Sequence, residues 1–153
     1  MAIDFGVNYV AVIVAAVAAV VIGIVYYGIA GFGDRLARLN GTAPRTAPPS
    51  PAQFAIGILV ALLNAWALAL FALNLGGASI TDGMLLGALA WLGLQATLKA
   101  AQVAFEGRSW NGWLIAGVHD LFIQVVMAAI VTAWRLASLS GEVGSGRTTR
   151  SLR

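Results

Sequence analysis

Residues 98–120 read LKAAQVAFEGRSWNGWLIAGVHD. Lys99, Gln102, Glu106, Arg108, His119 and Asp120 all fall inside this stretch, and long apolar runs flank it on both sides. Its spacing is helical. Ala88, Trp91, Gln95, Lys99, Gln102 and Glu106 recur at steps of three and four, which places them on one helix face that is polar over its second half. The turn EGRSWNG interrupts the pattern, and a second helix then carries Asp120 and Gln124 on a shared face, with His119 about 100° round from Asp120. Two helices joined by so tight a turn lie side by side and antiparallel. At about 1.5 Å of rise per residue, Lys99 stands about 10 Å from the turn and Asp120 about 13 Å, with His119 between them.

The rest of the chain tells which solvent this hairpin occupies. Of 153 residues, 60% are hydrophobic and 10% charged. A soluble surface needs about 25% charge, so lipid is the expected solvent. Four apolar stretches approach or exceed the roughly 20 residues that cross a hydrocarbon core. They run over 7–32, 52–75, 80–105 and 111–137. They are too long and continuous for barrel strands, and helices satisfy every backbone group internally, as lipid requires. The expected fold is all-α: an integral membrane four-helix bundle over 1–138, with antiparallel neighbours and both termini on the same side. All four prolines fall in NGTAPRTAPPSPAQ, which makes a stiff, partly extended linker at 39–51. NLGGAS makes a tight turn, and Ser79 with Asp82 forms a capping box at the start of the third span. The polar, basic tail 139–153 is expected to be disordered. No internal repeat supports an inverted-repeat transporter. The first apolar run lacks a basic leader and is too long for a cleavable signal, so it reads as a retained span. Positive charges are almost evenly divided between the two sides, with a slight preference for termini outside.

Tyr27, near the same end of the first span, reaches the level of Lys99, Asp120 and His119. Lys99 and Asp120 are expected to pair inside the bundle, or Lys99 to extend towards the headgroups. Gln95, Gln102 and Gln124 complete the polar cluster. Glu106 and Arg108 are expected to pair in a headgroup-level turn, flanked by the interfacial anchors Trp110 and Trp113, with Trp134 and Tyr26 as further anchors. Small and polar residues spaced by three and four mark helix-packing seams: Asn8, Ala11, Ala15, Ala19 and Gly23 in the first span, and Gly57, Ala61 and Asn64 in the second.

Two segments carry a family resemblance. They are VNYVAVIVAAVAAVVIGIVYYG near the start and FEGRSWNGWLIAGVHDLFIQVVMAAIVTAW near the end. Together they resemble the uncharacterised bacterial membrane family called domain of unknown function seventeen-sixty-one. The resemblance rests on Asn8, Tyr9, Gly23, Tyr26, Tyr27, Phe105, Glu106, Gly107, Arg108 and His119, and covers residues 6 to about 135. It implies a small four-span protein of the bacterial cytoplasmic membrane, and no activity. The family pattern places an aromatic after the His, where this chain has Asp120.

The sequence has no cysteine and a single His. No catalytic motif is present and no carboxylate pair is within obvious reach, so an enzyme is not expected. No cofactor or metal is expected, and no nucleic acid partner. The first reading is a non-enzymatic subunit or interaction protein, embedded in the lipid bilayer and packing into a homo-oligomer or beside other membrane proteins. The alternative is a small transporter or channel whose path is lined by His119, Asp120 and Lys99.

Overall fold

The structure, a computed structural model, describes residues 2–43 and 49–150, with side chains through Ser140. Its elements are helical throughout the described residues. Helix α1 (Tyr9–Gly23) continues as a π-helical segment, Ile24–Ile29. Helix α2 (Phe32–Leu39) is short, and α3 spans Pro51–Asn74. Helix α4 (Ile80–Ala90), a second π-helical segment (Trp91–Ala96) and α5 (Thr97–Glu106) form one continuous rod. Helix α6 runs over Trp110–Arg150. Four of the resulting helices are long and apolar enough to cross a membrane: Tyr9–Ile29, Pro51–Asn74, Ile80–Glu106 and Trp110–Ser140. Each overlaps one of the four apolar stretches read from the sequence, the first ending at Ile29 rather than 32 and the fourth extending to Ser140.

Local chemistry sets the ends. Asn8 Oδ1 accepts from the backbone N–H of Val10 at 3.0 Å and of Ala11 at 3.1 Å, which caps α1. Ser50 and Gln53 form a full capping box, with Pro51 as the first residue of α3, where its missing N–H costs nothing. Ser79 Oγ accepts from Asp82 N at 3.1 Å, as the sequence predicts, while the Asp82 carboxylate accepts from Ala78 N at 2.9 Å. Gly107 ends α5 at φ 67, a left-handed conformation that favours glycine.

Helix α2 fills the gap between the expected end of the first span at 32 and the expected start of the linker at 39. Its sequence FGDRLARL is amphipathic. Phe32, Leu36 and Leu39 are half-buried while Asp34, Arg35 and Arg38 are exposed. Of the Pro-rich linker, Pro44, Arg45 and Pro48 lie outside the described residues. Helix α6 continues through Arg150, into the stretch expected to be disordered, and residues 151–153 lie outside the described residues.

The core is built from small side chains. Ala11, Ala15 and Ala19 of α1 meet Ala65 and Ala72 of α3, with Met127 and Ala128 of α6. In lipid there is little hydrophobic drive between helices, so close backbone approach and van der Waals contact hold them together. The closest approach is between α4 and α6. A Cβ on Gly87 would stand 2.4 Å from the Gln124 carbonyl oxygen, and one on Gly83 would stand 2.5 Å from Thr132 Oγ1. Trp91 in turn packs on Gly117. Partners thus descend α6 as the chain ascends the third span. At the far end, Arg135 Nη1 donates to the carbonyls of Ala72 at 2.7 Å and Gly77 at 3.2 Å, taking up carbonyls freed at the end of α3. The first half of α3 behaves differently. Residues 51–60 are all exposed, so this half of the helix leans away from the bundle.

Candidate functional site

The polar cluster sits where α3 leans away. Asp120 of α6 places one carboxylate oxygen on the Lys99 ammonium of α5 in an ion pair. Its other oxygen lies 3.1 Å from His119 Nδ1. A carboxylate held by an ammonium can only accept, so Nδ1 carries the proton in this contact. In a neutral imidazole that leaves a lone pair on Nε2. The ring of His119 is clasped by two tyrosines of the first π-helical segment, with ring centroids 4.4 Å away for Tyr27 and 5.1 Å for Tyr26. Tyr26 is anchored in turn: its hydroxyl donates to the Ile115 carbonyl at 2.9 Å, and Phe32 of α2 stacks on its ring at 4.4 Å. Gly23 completes the seat, because a Cβ there would stand 3.6 Å from His119 Nε2.

The sequence reading and the geometry agree on the centre and part company at its edges. Lys99, His119, Asp120 and Tyr27 come together from three spans. Gln124 is buried, but its amide donates to Asn64 Oδ1 of α3 at 3.3 Å, so it joins the second span to the fourth. Gln95 faces the same cavity, whereas Gln102 is exposed and takes no part. Glu106 and Arg108 pair in their turn at 2.8 Å, and Trp110 meets Trp113 edge to face at 6.1 Å. Two expected packing residues have other places. Asn8 is exposed and spends its side chain on the cap, because a helix start has unpaired N–H groups to satisfy. Gly57 meets no neighbouring atom, because α3 has already left the bundle at that height. The close-contact glycines between spans are Gly83 and Gly87. Their signal was present as GMLLG, two small residues four apart. Tyr26, expected as an interface anchor, instead braces the His119 seat.

The space left by α3 is a cavity of about 1200 Å³. It is bordered by Ile24 of the first span, Leu36 of α2, Ala61 of α3, Lys99 of α5, and His119 and Gln124 of α6. Two buried polar atoms on its wall, His119 Nε2 and Gln124 Oε1, have no hydrogen-bond partner among the described residues. Both residues are nearly inaccessible, at 8% and 3% exposure. An unsatisfied buried acceptor costs about 1–3 kcal/mol, so two on one cavity wall call for a partner within the cavity. The two π-helical segments flank this site, one carrying the tyrosines and the other Gln95. Such segments occur disproportionately at functional sites. Among the described residues no three His, Cys, Asp or Glu side chains converge, so no metal-holding set can be named.

The chain shows no match among curated proteins and none among solved structures. One family does match, over residues 10–132, and that range takes in Tyr27, Lys99, His119 and Asp120 together with nearly all of the four apolar helices. By that match the chain belongs to the family described as Protein of unknown function (DUF1761).

Proposed function

We propose that the chain is a small multi-pass protein of the bacterial cytoplasmic membrane that holds a ligand in the cavity beside His119, as the binding stage of a carrier or transporter. The observation that carries this reading is the pair of buried, unpartnered acceptors on the wall of a large cavity inside an otherwise apolar bundle. Polar groups at membrane depth are costly and mark ligand or ion pathways. The cavity is also larger than most small-molecule sites, which run about 300–1,000 Å³. A packing subunit of a homo-oligomer or larger membrane complex draws less support. Gly23 is spent on seating His119, and Gly57 faces the cavity, so neither supplies an outward seam.

Native mass spectrometry after gentle extraction tests this. The expected result is the protein carrying a retained small molecule, which is lost in Gly57→Trp. That substitution has open space before it and fills the cavity without touching the close helix contacts. A discrete complex with other proteins and no retained small molecule would return the weight to the subunit reading.

A further inference from the structure

The wall of the cavity also says what kind of ligand it takes, given the binding role proposed above. Its charges are already spent. Lys99 and Asp120 neutralise each other, and Asp34 stands exposed at the mouth on α2. A charged ligand would find no free counter-charge inside and would have to break a pair that is costly to separate at this depth. Of the polar atoms that remain, His119 Nε2 and Gln124 Oε1 are buried and unpartnered; the amide oxygen accepts, and so does Nε2 in the neutral imidazole. The His119 lone pair is fixed by Asp120, which holds Nδ1–H. Tyr27, Asn64 and Gln95 carry donors elsewhere on the wall, but no donor reaches these two atoms from the described residues. The rest of the wall is apolar, with Val20, Ile24, Phe54, Ile58, Val60 and Met127 facing the space. Phe54 and Val60 lie on the half of α3 that leans outward, 47% and 59% exposed, so the apolar side of the cavity is continuous with the lipid-facing surface.

We infer that the ligand is an uncharged amphiphile bearing a hydroxyl group, a long-chain alcohol or neutral lipid alcohol, that enters from the bilayer. Its O–H donates to His119 Nε2, and its chain lies along the open half of α3. Tyr26 and Tyr27 hold the imidazole in place, and the Lys99–Asp120 pair sets its tautomer.

The chain has one histidine, so isotope labelling of histidine nitrogen reports this site alone. The full chain in nanodiscs is titrated with four probes that share one tail: oleyl alcohol, oleyl methyl ether, oleate and oleylammonium. Binding is read by native mass spectrometry and by the Nε2 resonance. Oleyl alcohol should bind saturably and move that resonance, and the ether should do neither as strongly. His119→Ala should weaken the alcohol roughly 3- to 10-fold, the worth of one hydrogen bond, and leave the ether unchanged. Equal binding of alcohol and ether, with an unmoved Nε2 resonance, overturns the hydroxyl assignment but leaves a ligand-holding cavity. Preference for oleate or oleylammonium overturns the neutral class. If no probe binds while the extracted protein still retains a small molecule that Gly57→Trp expels, the amphiphile is wrong and the binding role survives. If nothing is retained either, both fail.

Discussion

Asp120 is the residue on which the cluster turns, because one side chain holds both the Lys99 ammonium and the His119 ring. Asp120→Asn keeps the shape and removes the charge. Lys99 then faces a neutral amide, and the His119 tautomer is no longer dictated. Breaking a fully buried pair costs several kcal/mol, but the Lys99 side chain is 40% exposed, which reduces the loss. The expected destabilisation is about 1–2 kcal/mol, read by thermal unfolding in detergent. Lys99→Met in the same background should cost less than it does alone, because no charge is left to strand. Strictly additive losses would show that the two residues do not depend on each other. This pairing was legible in the sequence because helical rise fixes depth and a tight turn fixes the partner. Which neutral side chain would join it was not legible. Gln124 donates instead to Asn64 of α3.

At the scale of the element, glycines of the same composition do opposite work. Gly83 and Gly87 let α4 lie against the backbone of α6, while Gly57 on α3 faces open space. Gly87→Ala forces a methyl into the Gln124 carbonyl and should cost about 1–3 kcal/mol. Gly57→Ala meets nothing and should gain up to about 1 kcal/mol from helix propensity. Unfolding midpoints of the two variants check this, and equal effects would mean the α4–α6 approach is looser than its geometry. The sequence showed small residues at helical spacing in several spans, but spacing alone does not say which stripe finds a partner. The π-helical segments limited the reading in another way. A strict 3.6-residue period carried Gln95, Lys99 and Gln102 along one face, but the turn at Trp91–Ala96 shifts the phase of the rod. Beyond that turn, within α5, Gln102 ends exposed while Lys99 reaches Asp120. The amphipathic α2 escaped notice because its apolar start blends into the first span, and only the charges Asp34, Arg35 and Arg38 separate them.

For the molecule as a whole, parity governs what each side of the membrane sees. If each of the four long apolar helices crosses once, the chain returns to the side where it started. One end of the bundle is marked by the N-terminal segment: Asp4 N donates to Asn74 Oδ1 at 2.9 Å, and Asn74 Nδ2 donates back to the Asp4 carbonyl at 2.9 Å. The start of the first span thus sits beside the end of the second, while α2 packs near the start of α6, where a Cβ on Gly112 would stand 3.3 Å from both Asn40 and Leu36. The cavity mouth, bordered by α2, therefore belongs to the end of the bundle opposite both termini. Because the sequence has no cysteine, a single introduced thiol reports its own side without background. Ile3→Cys and Leu139→Cys should react with a membrane-impermeant maleimide from the same face of sealed vesicles, and Arg38→Cys from the other. Labelling of Arg38→Cys from the face that labels Ile3→Cys would place α2 and the termini together. It would leave an odd number of crossings between them unaccounted for, and the cavity would then open on the side of the tail.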